Sequence, residues 1–294
     1  MVGASTYILT VDVGNSCIRF GLFGEDAGAA ARPVATCEVT TPARLTADEA
    51  RMRLAQVLAA LAQDAVAATD AFSGVATPGP LALRPATAVL SCVVPALERP
   101  WAAALEKTCT GRVLTVGPGL KTGMRMRYDD PAEIGPDRIA DAVAARAVYG
   151  APCIVVDLGT TTNIEVIDAS GAFAGGVIAP GLALGARSLS AAAARLPQVD
   201  PVAPARVIGR STREAMRSGV VLGEVARIDG MLDMVLAEMR AEGAAGEDPV
   251  PIVITGDDAS AMSALVRHDL TVDATLTLRG LAELYRINRK PRRA

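Results

Sequence analysis

The sequence predicts an α/β protein made of two similar halves, each running β-β-β-α-β-α-β, and three observations carry that expectation. The chain has 294 residues, more than one compact core usually holds, so a two-part plan is the natural division. A hydrophobic share of 51% against 21% charged residues supplies a packed core and lies far from the composition of disordered chains. Two β-rich runs end in Asp-x-Gly, Val11-Asp12-Val13-Gly14-Asn15-Ser16 and Val156-Asp157-Leu158-Gly159-Thr160; their aspartates stand 145 residues apart, close to half the chain. Self-similarity at that distance is the mark of an internal doubling.

In the first half, Tyr7 to Val13 is a β-rich run that stops at Gly14-Asn15. Cys17 to Phe23 follows as the second strand of a hairpin, and Pro33 to Thr40 reads as a third strand. Thr46 to Glu49 has the capping-box form T-x-x-E. Leu54, Val57, Leu58 and Leu61 recur behind it at helical spacing, which predicts a helix over about 47–68. A short strand near Ala71–Val75, a buried strand from Ala88 to Val94, a helix opening at Pro95 and a strand from Arg112 to Val116 complete the half. Gly117, Pro118, Gly119, Gly123, Pro131 and Gly135 then crowd one stretch, so a domain boundary is expected there, dividing residues 1–117 from 118–294.

The second half opens with a helix over about 137–149. Cys153 to Leu158 is an apolar strand ending in Asp-x-Gly-Thr, Ile164 to Asp168 is its hairpin partner, and a third strand runs toward Val177-Ile178 after the turn at Ser170-Gly171. Helices are predicted from Gly181 and from Ser211 to about 241, then a strand at Val250–Ile254 and a last helix over about 278–288.

Composition excludes several classes of function. A formal net charge of −3 gives no electrostatic footprint for nucleic acid, and no apolar run approaches the roughly 18 residues that span a bilayer. The N-terminus lacks the charged start and apolar stretch of a secretory signal, which points to the cytoplasm. Cys17, Cys37, Cys92, Cys109 and Cys153 are odd in number, scattered, and form no C-x-x-C pair, so neither a disulfide framework nor a zinc site is expected. The only histidine, His268, sits in a polar stretch between a helix and a strand and reads as an exposed surface imidazole. With nine aromatic residues there is no base-stacking platform either. The chemistry therefore falls to carboxylates, hydroxyls, backbone amides and arginine.

A strand that ends in Asp-x-Gly can present backbone N–H groups and a small hydroxyl to a phosphate while the carboxylate holds a cation or its bound water. One such turn is a weak signal. Two at matching places in two similar halves define facing phosphate loops, with a nucleotide triphosphate in the cleft between domains.

Five separated motifs, in order, carry a more specific resemblance. They are Val11-Asp12-Val13-Gly14-Asn15-Ser16, Lys121-Thr122-Gly123, Tyr128-Asp129-Asp130-Pro131-Ala132-Glu133-Ile134-Gly135-Pro136-Asp137-Arg138, Asp157-Leu158-Gly159-Thr160 and Gly175-Gly176-Val177-Ile178-Ala179-Pro180-Gly181. Together they resemble type III pantothenate kinases, within the superfamily of acetate and sugar kinases, heat-shock chaperones and actin, from about residue 7 to 288. The resemblance implies two actin-like (ribonuclease H-like) domains with an inter-domain nucleotide cleft. It also implies ATP-dependent phosphorylation of pantothenate, the first step toward coenzyme A.

By that likeness the first loop, Asp12, Val13, Gly14, Asn15, Ser16, Cys17, Ile18 and Arg19, would bind ATP, with Asp12 near the metal-bound phosphates. Thr160 would contact ATP from the second loop, and Asp157 would hold a monovalent cation, K+ or NH4+, with Mg2+ accompanying the ATP. Tyr128, Gly135, Pro136, Asp137 and Arg138 would form the pantothenate site, completed by Thr212, and Asp137 matches the general base. A homodimer is implied, with the pantothenate site near its interface.

The chemistry agrees with these roles. Phosphoryl transfer to an alcohol needs in-line positioning, neutralised phosphate charge and a carboxylate to orient and accept the hydroxyl proton. At a helix start Asp137 would be stabilised as an anion, and Arg138 beside it could clamp an acidic substrate. From local sequence alone, Asp137 reads equally as a helix-capping carboxylate, Tyr128 as a loop aromatic and Asp157 as a hydrogen-bonded strand-end acid.

Four positions depart from the family's usual residues: Asp130 for asparagine, Pro136 for alanine, Asn163 for threonine, and Gly256-Asp257-Asp258 where a double glycine follows the threonine. The last brings two negative charges to the turn expected to approach the adenosine. It motivates a rival reading as a non-catalytic regulator that keeps the kinase fold. A kinase of the same superfamily acting on another hydroxylated acid is a second rival.

Overall fold

The computed structural model describes residues 7–70, 84–245 and 248–289. The chain forms two compact units, one of Met1–Met124, Asp129–Val148 and Thr275–Ala294, the other of Arg125–Tyr128 and Tyr149–Ala274.

In the first unit, β1 (Tyr7–Val13), β2 (Cys17–Gly24) and β3 (Ala35–Thr40) form an antiparallel meander. β4 (Thr87–Cys92) and β5 (Val113–Thr115) extend it parallel to β1, in the order β3-β2-β1-β4-β5. The connections are α1 (Ala47–Asp70) between β3 and β4 and α2 (Pro95–Thr108) between β4 and β5, with α3 (Pro136–Tyr149) further on. The capping box forms at α1: the Glu49 carboxylate accepts from Thr46 N at 2.8 Å, and Glu49 N donates to Thr46 Oγ1 at 3.2 Å.

Alternation along β1 sends residues to both faces of the sheet. Leu9, Val11 and Val13 join Phe20, Leu54, Leu61 and Trp101 in one cluster. Ile8 joins Phe23, Val89, Ala140 and Val143 in another, together with Leu278, Leu281 and Leu284 from α8 (Leu276–Asn288), the last helix of the chain. With both faces covered, β1 and β4 are buried almost throughout, including the polar Thr10, Asp12, Thr87 and Ser91.

Helix α8 follows the second half in sequence but packs on the first sheet, so a boundary after residue 117 separates α3 and α8 from the sheet they cover. Gly280 makes this packing possible, because a Cβ there would overlap the carbonyl oxygen of Ala140 on α3. Gly280→Val is expected to destabilise the fold by about 1–3 kcal/mol through overpacking, read as a lower melting temperature. An unchanged melt would contradict the α3–α8 contact.

The second unit repeats the plan. β6 (Cys153–Leu158), β7 (Thr161–Ile167) and β8 (Phe173–Pro180) are an antiparallel meander, and β9 (Ile252–Gly256) and β10 (Thr271–Val272) run parallel to β6, giving β8-β7-β6-β9-β10. Between β8 and β9 lie α4 (Leu182–Ala192), α5 (Thr212–Arg217), a π-helical turn at Ser218–Leu222 and α6 (Gly223–Ala241); α7 (Ala259–Ser263) joins β9 to β10. Ile154, Val156, Ile164, Val221, Ile228, Leu232 and Ile254 form its core.

The doubling holds at the level of single residues. Asp12 on β1 pairs with Arg19 on β2 and Ser91 on β4, while Asp157 on β6 pairs with Asn163 on β7 and Thr255 on β9. The long helix expected from Ser211 to about 241 forms as α5 and α6 with the π-helical turn set between them, and α7 and β10, which local sequence does not mark, supply the last α-β of the plan. The strand expected near Ala71–Val75 lies outside the described residues. His268, expected on the surface, is half-buried, with Nε2 3.2 Å from the Asp233 carboxylate.

Candidate active site

The first loop is a tight turn held from two sides. Gly14 N donates to Cys17 O at 3.0 Å, while Thr41, just past β3, donates from N to Ser16 O at 2.9 Å and from Oγ1 to Gly14 O at 2.7 Å. Asn15 and Ser16 are exposed, whereas Val13 and Ile18 are core residues and offer a ligand only their backbone. Arg19 pairs with Glu38 at 3.0 Å.

Asp12 is 5% exposed, and its Oδ1 accepts from Ser91 Oγ at 2.8 Å. Burial first, and the negative charge of Asp137 second, push its carboxyl up to about 6 against the opposing pull of Ser91 and Arg19. The electrostatics therefore connect two aspartates that lie far apart in sequence.

Asp137 is the second residue of α3. Pro136 opens the helix, where its missing N–H costs nothing. Asp130 caps the 3-10 turn Pro131–Glu133 by accepting from Ala132 N at 2.9 Å, so this departure from asparagine keeps a capping oxygen. Gly135 leaves room for the acid: a Cβ there would stand 2.5 Å from Asp137 Oδ1. That oxygen accepts from Arg138 N at 2.8 Å. Burial nonetheless raises the Asp137 carboxyl above the usual range, outweighing the backbone N–H groups and the Arg138 charge. Arg138 is itself 6% exposed.

In the second unit, the strap Arg125–Tyr128 lies along the start of β8. Arg127 N donates to Phe173 O and Phe173 N to Arg125 O, both at 2.8 Å, and the Tyr128 ring sits 6.0 Å from that of Phe173. Arg127 Nη1 lies 3.1 Å from the Oδ2 of Asp168. Burial opposes ionisation of Asp168, but hydrogen bonds from Ser170 and Ala172 together with the Arg127 charge hold its carboxyl below the usual range.

The second loop is closed by Gly159 N donating to Thr161 O at 3.0 Å, with Thr160 half-exposed at its tip. Asp157 is half-buried; its cross-strand neighbour Asn163 is 5% exposed, with Oδ1 lacking a hydrogen-bond partner. A carboxylate beside a buried amide oxygen that has spare acceptor capacity suits a weakly held cation. Among the described residues no cluster of three or more His, Cys, Asp or Glu gathers as a metal cage. Mg2+ does not require one, since it is commonly held by one or two carboxylates together with substrate phosphates.

Thr212 is exposed at the start of α5, behind Ser211, whose Oγ accepts from Glu214 N at 3.2 Å. Asp257 is exposed, and its backbone N donates to Leu158 O at 3.0 Å. Burial, then the charges of Asp257 and Glu224, raise the carboxyl of half-buried Asp258.

Asp12, Asp137 and Arg138 thus belong to the first unit, and Tyr128, Asp157, Thr160 and Thr212 to the second. Sequence reasoning missed Ser91, Asp168 with Arg127, and Glu224. Ser91 reaches Asp12 from 79 residues away through parallel strand pairing, for which no local pattern exists.

The repeated strand order, with an acid at the matching end of the first strand of each sheet, defines an actin-like protein of two α/β domains. Residues 8–234 match the family model of the type III pantothenate kinases, and the chain belongs to that family. A type III pantothenate kinase of Rhodospirillum centenum is 37% identical over 96% of this chain and 98% of its own. One of Rhodococcus jostii is 37% identical over 98% and 97%. Among solved structures, a conserved Campylobacter jejuni protein described as a Baf family transcriptional activator matches with a TM-score of 0.53 and 17% identity, covering 95% of this chain and 98% of its own, a likeness of fold alone.

Proposed function

We propose that this chain transfers the γ-phosphoryl group of ATP to the 4′-hydroxyl of pantothenate, giving 4′-phosphopantothenate in the first step of coenzyme A biosynthesis. The observation that carries the reading is Asp137: a carboxylate at the start of α3, raised above its usual range by burial and set beside buried Arg138. A base whose pKa moves toward the working pH accepts a hydroxyl proton more readily. Asp137 would take the proton of the attacking hydroxyl, and Arg138 would pair with the pantothenate carboxylate. The turn from Asp12 to Arg19 would offer backbone N–H groups and the Ser16 hydroxyl to ATP, and Thr160 would contact it from the second loop. Mg2+ would neutralise phosphate charge beside Asp12, and K+ or NH4+ would be held by Asp157 with Asn163. Pantothenate-dependent ADP release, assayed with and without K+ or NH4+, tests the reading; no turnover under any cation condition overturns it.

Tyr128 would line the pantothenate site, and the Arg127–Asp168 pair fixes the strap that carries it. Arg127→Ala is expected to raise the KM for pantothenate by about two- to fivefold, in line with a partly exposed ion pair worth under 1 kcal/mol, and to leave the KM for ATP in place. An unchanged pantothenate KM would count against the placement of Tyr128.

The active form would be a cytoplasmic homodimer. Among the described residues no helix is long and apolar enough to cross a membrane. None of the five cysteines is in a disulfide, and burial pushes the thiols of Cys92 and Cys109 up to about 11 and that of Cys153 up to about 12, which disfavours the thiolate form. Val207 and Ile208, four to five residues before Thr212, are 72% and 81% exposed, large apolar groups that a second copy could cover. The double change Val207→Asp with Ile208→Asp is expected to shift the protein from dimer to monomer by light scattering and to weaken pantothenate binding. A dimer that survives it places the interface elsewhere.

A further inference from the structure

Glu224 opens α6 directly behind the π-helical turn Ser218–Leu222 and is 5% exposed, a rare position for a carboxylate. Its Oε1 accepts from Thr162 Oγ1 at 2.6 Å, and its Oε2 pairs with the guanidinium of Arg227 one turn along the helix. Arg227 Nη2 also donates to the carbonyl oxygen of Pro180 at 2.5 Å. Thr162 is the second residue of β7 and Pro180 the last of β8, and the register sets Thr161 opposite Pro180. These two strand ends frame the second loop, and the next residue, Gly181, donates its N–H to Thr160 O at 3.1 Å. One ion pair, between buried Glu224 and half-buried Arg227, therefore grips both roots of the loop whose tip is Thr160.

Stability alone does not account for such a pair. An ion pair with one partner partly in water adds little net stability, because screening weakens the attraction while the buried carboxylate has lost its water. Its value lies in direction, since a short charge-assisted bond fixes Thr162 in a way that an apolar contact does not. A π-helical turn just before Glu224 agrees with this, because such turns recur where a side chain is re-aimed at functional sites.

We propose that Glu224, oriented by Arg227, is a positioning residue that holds the second phosphate loop in the geometry that receives ATP. The proposal rests on the reading of Thr160 as an ATP contact, so Thr160→Ala is measured beside it.

Glu224→Leu removes both partners, Glu224→Gln keeps an acceptor for Thr162 but loses the ion pair, and Thr162→Val removes the hydroxyl. For the purified full chain, melting temperature, kcat and the KM values for ATP and pantothenate are determined. Glu224→Leu is expected to raise the KM for ATP about tenfold, with Glu224→Gln and Thr162→Val raising it less, while the KM for pantothenate stays within about twofold. Thr160→Ala should also raise the KM for ATP. If Thr160→Ala does so while folded Glu224→Gln and Thr162→Val keep the wild-type value, the positioning role is overturned. Equal rises in both KM values, the sign of general loosening, overturn it too. If Thr160→Ala leaves the KM for ATP unchanged, the ATP reading of the loop fails, and the proposal falls with it. Should Glu224→Leu not fold, the Gln and Val variants decide.

Discussion

Asp137→Asn is expected to lower kcat by about 10²- to 10⁴-fold, the usual cost of losing a positioned general base, while the protein keeps its fold. The amide can still accept from Arg138 N and fills the same space beside Gly135, so the start of α3 should remain intact. The KM for pantothenate should change little, because Arg138 is retained. The pH dependence has a definite sign. Burial raises the Asp137 carboxyl, and a base must be ionised to act, so the wild-type rate should climb as pH rises through that raised value. The variant should lack this limb at low pH. Turnover near wild type would locate the base elsewhere.

Asp12→Asn is expected to stabilise the protein while removing activity. The folded carboxyl titrates at about 6 against an ordinary value of 3.8, so the folded state binds this proton more tightly than the unfolded chain does. For an acid with its pKa raised, the penalty is absent below 3.8, grows as pH rises toward 6, and is complete above that. A shift of this size corresponds to roughly 3 kcal/mol at neutral pH. In the absence of nucleotide, the variant should therefore melt higher than wild type at pH 7 to 8, with the gap closing near pH 4. Adding Mg2+ with ATP should narrow the gap from the other side, since it would stabilise the wild type and not the variant. A variant less stable than wild type at pH 8 would show that the Ser91 bond outweighs the burial and repulsion of the charge. Protein stability is commonly lost where like charges are gathered for function.

The capping box at Thr46–Glu49, the two hairpins and the first turn of α3 were legible in the sequence because their partners lie within a few residues of one another. The candidate site was only partly legible. Asp12, Asp137 and Asp157 stand out as acids next to glycine turns, yet nothing local distinguishes a base from a helix cap. What separates them is the balance of burial against partners: burial raises Asp12 and half-buried Asp137, while buried Asp168 is held below the usual range by its hydrogen bonds and Arg127. At Gly256-Asp257-Asp258, Asp257 has its backbone tied to Leu158, and burial, then the charges of Asp257 and Glu224, raise the Asp258 carboxyl, relations that leave no mark in the local sequence.

From residue order alone come the element sequence, the doubling marked by Asp12 and Asp157, and the chemistry available to a chain with a single histidine. These depend on local periodicity, turn residues and counts, which need no knowledge of distant neighbours. Folding in three dimensions settled that α8 completes the first unit across Gly280, that Ser91 holds Asp12, and that Glu224 reaches Thr162 from 62 residues away. Each of these joins groups far apart along the chain through burial and close contact, and the energy of such a contact exists only once both surfaces have left water.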